Sequence, residues 1–515
     1  MEAKMILMEE QAILKGRTQF ERLVALVQEG AAKGRTIDRV ERDLWYGLLT
    51  LGRMLLEAFV SGQGTGDLGP TLPWQGRTLH RLPYVHERRY VSVFGELTIP
   101  RHVYGTREAQ KHEMVPLDAR LNLPAGEFSY LLQEWDQAAC VQDSYDESRA
   151  SMQRILGLGQ SVRSLEHMTG EMAESVESFR EAQPVPPAAE EGSILVLTAD
   201  GKGVPMRRGE GEGEEAAGQE EQKQGKAKGS QGEKKPEGEE DKAGKKRLAC
   251  VGSVYTIDPF VRTAQDVVDE VMRKKAKEKR PVPRHKEVRA ELTREIDGKE
   301  VNGKDRIFQW FAEQAQGRNG DRGKPVVCVM DGERALWKRL TAGFLGVVCI
   351  LDIFHVLERL WAAAHCFHAK ESKEAREFVS ERLKRILEGQ VGRVIGGLRQ
   401  MAGKQRLKGK RLAVLESAIG YLENHRRFMR YDEYLAAGYP IGSGVAEGSC
   451  RYVVKDRMER TGMRWRTASA QAMLDVRAVY VSDHWEEFSA YRVQSGCSNL
   501  YPHRQFVQSE YHAAA

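Results

Sequence analysis

Three acidic residues occupy positions from which metal-dependent phosphate chemistry could be done. Asp200 follows the apolar run Ile194-Leu195-Val196-Leu197-Thr198-Ala199 and precedes Gly201-Lys202-Gly203. Asp331 follows Val326-Val327-Cys328-Val329-Met330 and precedes Gly332-Glu333-Arg334. Glu447 lies in Gly442-Ser443-Gly444-Val445-Ala446-Glu447-Gly448, where a helix is expected to begin. Carboxylates at strand ends project into the crevice where open α/β sheets bind ligands. Several hard oxygen donors suit magnesium, which keeps some waters and takes further ligands from phosphate. Two such ions roughly 4 Å apart can activate an attacking water or 3′-hydroxyl and stabilise the leaving oxygen. Each acid also has a plain structural explanation: Asp-Gly is a common turn pair, and Glu at a helix start complements the macrodipole.

These acids need a sheet and helices to hold them. The runs 194–200 and 249–255 read as strands, with Asp200 ending the first. Between Arg207 and Arg247 lies a Gly, Glu, Lys and Gln-rich segment whose only apolar side chains are alanines. It cannot bury enough surface to offset ordering, so residues 207–247 are expected to be a disordered tip on a β-hairpin. The runs 326–330 and 347–351 flank a helical pattern carrying Leu336, Trp337 and Leu340, which predicts parallel strands joined by a crossover. A helix is expected at about Lys304 to Gln316, and Val356 to Tyr434 is predominantly helical, as is the chain up to about Tyr491. The basic stretch from Arg273-Lys274-Lys275 through Lys279-Arg280 to Arg289 could follow phosphates, although charge runs are commonly only solvated.

The N-terminal third has a different pattern. Leu44, Leu48, Leu51, Leu55 and Phe59 give helical spacing up to about residue 60, and Ser61 to Gly66 is a Gly-rich break. Arg89 to Arg101 alternates and is expected to form a β-hairpin turning at Gly95-Glu96. Arg88, Arg89, Arg101 and His102 stand beside Tyr90, Phe94 and Tyr104, which fits a phosphate-facing surface or a small sheet with solvated arginines equally. Ser144 opens a predicted helix to Leu156, Gly157 to Ser161 forms a turn, and Ser161 caps a second helix bearing Arg163 and His167. This is helix-turn-helix spacing, shared with ordinary helical hairpins. Pro184-Val185-Pro186-Pro187 reads as a linker.

Bulk properties narrow the classes. At 515 residues, two or three domains are expected. Seven scattered cysteines contain no C-x-x-C pair, so neither a zinc ribbon nor a disulfide framework is written, and reduced intracellular thiols are expected. The chain starts Met1-Glu2-Ala3-Lys4 without a signal pattern, and it holds no run of 18 apolar residues, so no membrane span is expected. The expected location is the cytoplasm. A net charge of +5 is only a weak sign of nucleic acid.

The motifs Thr198-Ala199-Asp200-Gly201-Lys202-Gly203-Val204, Val329-Met330-Asp331-Gly332-Glu333 and Ile441 to Glu447 together resemble those of the DDE transposases of bacterial insertion sequences, in particular the ISKra-type group. Arg457-Met458-Glu459-Arg460-Thr461-Gly462-Met463-Arg464-Trp465 strengthens the resemblance. Asp352-Ile353-Phe354-His355 is similar to a D-x-x-H element of Mutator-like transposases, which also insert a helical domain before the last acid. The resemblance covers most of residues 190–485 and extends loosely to the hairpin near 84–104. It implies an α/β fold: a ribonuclease-H-like catalytic core with an all-helical insertion, preceded by an α+β DNA-binding region.

On that resemblance the chain divides into an N-terminal helical and hairpin region (1–125), a helix-turn-helix-like region with linker (126–187), and a first core part (188–355). A helical insertion (356–438), C-terminal core helices with the last acid (439–492) and a tail (493–515) follow. Asp200, Asp331 and Glu447 would be catalytic and would ligate two magnesium ions, with manganese as a substitute. Asp352 and His355 would be auxiliary, supporting strand separation or positioning a phosphate; His355 is equally a core or capping histidine on spacing alone. Lys202, Arg334, Arg464, Arg466 and Arg163 are candidate DNA contacts. Trp465 would stack on an unpaired base or serve simply as core. Cys140 stands alone in the N-terminal region, so no zinc is implied.

The implied activity is cleavage at transposon ends and strand transfer into target DNA, in a nucleoid-associated bacterial protein. Partners would be terminal inverted repeats, target DNA and, because two ends need two active sites, a second copy or a higher assembly. Two alternatives stay open: a catalytically inactive repressor or end-binding protein, and a metal-dependent nuclease of the same fold.

Overall fold

A computed structural model describes residues 2–106, 113–207, 243–273, 279–320, 323–344, 346–460 and 462–514. The chain forms two compact units, one of residues 1–179 with 484–515, the other of residues 180–483. Most of the polar tip expected at 207–247 lies outside the described residues.

The first unit opens with two helices, α1 (Glu2–Ala32) and α2 (Ile37–Gly62), which pack on each other. Strands β1 (Thr71–Trp74), β2 (Arg77–Arg81) and β5 (Tyr104–Gly105) form one antiparallel sheet. Strands β3 (His86–Ser92) and β4 (Gly95–Arg101) form the expected hairpin. Its turn falls at Val93-Phe94, two residues before the expected one, because Ser92 pairs with Gly95 and the Ser92 hydroxyl donates to the Gly95 carbonyl. The arginines of this hairpin are engaged within the protein. Arg88 and Arg101 both pair with buried Asp118, and Arg89 pairs with Glu96 and Glu127.

Helices α3 (Pro116–Leu121), α4 (Tyr130–Cys140), α5 (Tyr145–Leu156), α6 (Val162–Glu174) and α7 (Val176–Ala182) follow. Serine capping sets their starts, as expected. Ser144 and Glu147 form a reciprocal capping box, and Ser161 accepts from the Ser164 N–H. Between them Gly157 takes the left-handed conformation that closes α5 (φ 72°). The expected tail is helical instead: Trp485–Leu500 and Arg504–Ala514 are helices of this unit. Phe506 and His503 pack against Trp74, an apolar anchor that local polarity did not reveal.

The second unit is built on a five-stranded sheet of β6 (Ile194–Arg207), β7 (Ala243–Ile257), β8 (Arg284–Leu292), β11 (Val326–Met330) and β12 (Val348–Leu351). The labels β9 (Arg294–Ile296) and β10 (Lys299–Val301) belong to a separate two-stranded ribbon. The spatial order is β12-β11-β6-β7-β8, with β6, β7 and β8 antiparallel and β6, β11 and β12 parallel. The parallel pairing expected for 326–330 and 347–351 is therefore present. Strand β6 does not end at Asp200, as expected, but runs on to Arg207, and residues 243–247 are strand where disorder was expected.

Helix α8 (Ala264–Val271) precedes β8, and α9 (Gly303–Arg318) covers one sheet face through Ile307 and Phe311, which press on Gly252. At the start of α9, a Cβ on Gly303 would press into the Glu291 carbonyl of β8, and backbone there cannot yield cheaply. Gly303→Ala is expected to cost about 1–3 kcal/mol as overpacking, seen as a lower urea midpoint at unchanged slope. An unchanged midpoint would refute that close approach.

Helix α10 (Arg334–Gly343) makes the crossover between β11 and β12. A helical stretch follows: α11 (Ile353–Phe367), α12 (Lys373–Leu387), α13 (Val391–Lys404), α14 (Gly409–Asn424) and α15 (Tyr431–Ala436). Its apolar faces join the sheet in one continuous core running from Ile194 to Ile441. The chain then returns through α16 (Gly444–Cys450), a π-helical turn at Arg451–Lys455, α17 (Asp456–Met458) and α18 (Thr467–Val481). Among the described residues no helix is long and apolar enough to cross a membrane.

Candidate metal centre

Strand register assembles the site. Ala199 of β6 pairs with Met330 of β11, and Met330 pairs with Leu351 of β12. One residue further along each chain stand Asp200, Asp331 and Asp352. Because side chains alternate faces with a period of two, three residues in one register row leave the sheet on the same side. Neighbouring strands are about 4.8 Å apart, so the row places three carboxylates side by side at the end of the parallel strands.

The same sheet face receives α16. The Ser253 and Ser449 hydroxyls hydrogen bond across it at 2.8 Å, and the Cys450 thiol hydrogen bonds to Asp200. The Glu447 N–H donates to the Ser443 carbonyl, and the Ser443 hydroxyl donates to the Asp352 carboxylate. One helical turn thus carries Glu447 over the aspartate row. Ligand atoms of Asp352, His355 and Glu447 come within 4.8 Å of one another.

Each aspartate is held by its own backbone. Asp200 accepts from the Gly201 N–H at 2.6 Å, and Asp331 accepts from the Glu333 N–H at 2.9 Å. Asp352, fully buried, caps α11 by accepting from the Phe354 N–H at 2.9 Å. Such bonds fix the carboxylates before any ligand arrives. Burial raises the Asp331 carboxyl above the ordinary aspartate range, with Asp200 and Asp352 adding like charge. Burial also raises Glu447, again with Asp352 and Asp200 contributing and His355 opposing. His355 is half-buried and lies 3.4 Å from Glu358.

The close approach of α14 explains one glycine. A Cβ at Gly332 would lie 2.8 Å from the Tyr421 hydroxyl, so the residue after Asp331 has no room for a side chain. Trp337 donates from Nε1 to the Asp331 carbonyl at 2.6 Å, and His425 Nε2 lies 3.1 Å from the Gly332 carbonyl. Ser443, Cys450 and Tyr421 were not singled out in the sequence; only the fold brings them to the acids.

The other candidate residues divide sharply. Lys202 lies 3.7 Å from Glu459, which Lys246 also engages at 2.6 Å, so its charge is already met within the protein. Arg334, Arg464 and Arg466 are exposed, as is Arg163 in the first unit. Trp465 is buried at 6% exposure, its Nε1 donates to the Met458 carbonyl, and the Arg457 guanidinium stands 5.1 Å over its ring. Its backbone pairs with Pro205 and Arg207 at the far end of β6. The indole is core and has no free face for a base. In the basic stretch, Arg280 pairs with Glu270, Arg284 with Asp258, and Arg289 lies over Trp310; residues 274–278 lie outside the described residues.

No protein-family model matches this chain, and no curated protein matches it. Among solved structures, the Drosophila P element transposase strand transfer complex is similar over 72% of this chain and 81% of that chain, at 11% identity. The TM-score is 0.24, a likeness too slight to assign a fold or an activity.

Proposed function

We propose that this chain is a DNA transposase whose second unit is a ribonuclease-H-like core, with Asp200, Asp331 and Glu447 holding two magnesium ions. The observation that carries the reading is the register row of aspartates beneath Glu447. The mixed sheet supports it, as does the helical stretch α11–α15 standing between β12 and the last acid. The donor set fits a hard divalent cation: ligand atoms of Asp352, His355 and Glu447 lie within 4.8 Å of one another, Asp200 and Asp331 stand near enough to act on these acids electrostatically, and burial with like charge raises Asp331 and Glu447. Manganese would serve in place of magnesium. When bound, the ions supply Lewis acidity at phosphate and a more acidic attacking water or 3′-hydroxyl.

The protein's part is preorganisation. The Gly201 and Glu333 N–H groups hold Asp200 and Asp331 in place. Ser443 and the α11 N-terminus hold Asp352 in the same way, and His355 flanks Glu447 from the next turn. Asp352 and His355 are assigned an auxiliary role, positioning Glu447 or a phosphate. Terminal inverted repeats and target DNA are the proposed substrates. Two ends require two such centres, so a dimer or larger assembly on DNA is part of the proposal.

The test is cleavage and joining of DNA bearing the element's ends in magnesium, comparing the wild type with Asp331→Ala. Wild-type cutting and joining are expected, with binding kept and product lost in the variant. Cutting without joining would make the chain a nuclease of the same fold. Binding without cutting by either protein would leave the inactive end-binder.

A further inference from the structure

Beside the aspartate row, α10 and the chain following α14 enclose a groove of about 360 Å³. Arg334, Lys338 and Arg427 line it, all three exposed, and no acid is among its lining residues. None of the three forms an ion pair with a carboxylate among the described residues, whereas Arg339 on the same helix pairs with Asp305 and Lys304 pairs with Glu333. Its floor is rigid: Trp337 and Phe428 stack at 4.1 Å between centroids, 13° apart in plane. Both rings are buried, so the floor offers no free aromatic face to a base.

The groove is physically joined to the acids. Trp337 bonds the Asp331 carbonyl, and His425 contacts the Gly332 carbonyl, so two groove walls hold the loop that carries Asp331. Three cations with no carboxylate partner among the described residues, Arg427 standing 4.5 Å over the Phe428 ring, suit a run of phosphates, and the buried floor leaves nothing to read base identity.

The geometry points to this groove as the seat of the phosphodiester backbone of the DNA strand that enters or leaves the aspartate row, held without regard to sequence. The inference rests on the transposase reading for its substrate and adds where that strand runs. Arg334, Lys338 and Arg427 each neutralise a phosphate, and the Trp337–Phe428 stack sets their spacing.

The experiment measures binding of a single-stranded oligonucleotide across a salt series, with the wild type, the triple variant R334Q/K338Q/R427Q, and a control triple K370Q/K373Q/R376Q at the start of α12 and in the turn before it. Losing three phosphate contacts should flatten the salt slope by about 2 and weaken binding on the order of 100-fold at 0.1 M salt. The control should keep the wild-type slope. Singles R334Q and K338Q, both exposed, serve if the triple does not fold; each should reduce the slope by about 0.7. A groove variant with the wild-type slope and affinity overturns the inference, as does a control that falls equally. Cleavage in magnesium separates the two readings. A wild type that cuts while the groove variant binds and cuts unchanged removes the groove and keeps the transposase. A wild type that binds through the groove and never cuts removes the enzyme and keeps the groove. A wild type that binds no DNA removes both.

Discussion

Asp352→Asn is expected to lower divalent-ion affinity and DNA cleavage by about 100-fold while leaving the fold intact. The substitution separates charge from structure. Asp352 is fully buried and bonded on both oxygens, to the Phe354 N–H and the Ser443 hydroxyl. Asparagine keeps an acceptor for the helix cap, and its amide can donate to Ser443, so capping should cost only a few tenths of a kcal/mol. What disappears is the third negative charge in the aspartate row. Calorimetric titration of manganese and a cleavage time course would read both effects. Unchanged ion affinity with an unchanged melting temperature would reduce Asp352 to a helix cap.

Asp136→Asn is expected to stabilise the first unit above neutral pH by on the order of 3 kcal/mol and to flatten its pH dependence. Asp136 sits in α4 with no exposure, and burial pushes its carboxyl up to about 7. One oxygen accepts from Gln160, in the turn before α6; the other has no hydrogen-bond partner among the described residues. The sign follows from the raised value. Stability is fully present while the group is neutral in both states, below its ordinary 3.8, and is lost as pH rises through about 7. Urea unfolding at several pH values should therefore show the wild type weakening from about pH 4 to 8 relative to the variant. Parallel curves for the two proteins would mean that Asp136 stays charged in the fold.

Local features of this chain were legible in sequence, and pairing across the fold was not. Ser144, Ser161 and the 326–330 and 347–351 runs announced their elements because caps and apolar periodicity act within a few residues. The hairpin turn slipped by two residues because its position depends on the Ser92–Gly95 pairing, which composition near Gly95 does not determine. Asp200 was expected to end a strand, yet β6 continues because β7 pairs with it as far as Arg207, where the segment that looked too polar begins. Its exposure as a strand-end acid comes instead from the shorter partner β11, which stops at Met330.

The same distinction holds at the site. Asp200, Asp331, Glu447, Asp352 and His355 could be singled out from type and spacing; in the fold Asp200, Asp352 and His355 act electrostatically on both Asp331 and Glu447. That Asp352 and His355 lie closest to Glu447 depends on α16 crossing the sheet face, which no local pattern states. Trp465 shows the opposite case. Its type and flanking arginines left base stacking and a core position both open, and backbone pairing to Pro205 and Arg207 draws it into the core.

The most direct measurement is anomalous scattering from crystals equilibrated with manganese. The account predicts two ions, ligated by the carboxylates of Asp200, Asp331 and Glu447. A single ion held by Asp352, His355 and Glu447 alone, or no ordered ion at the aspartate row, would contradict it.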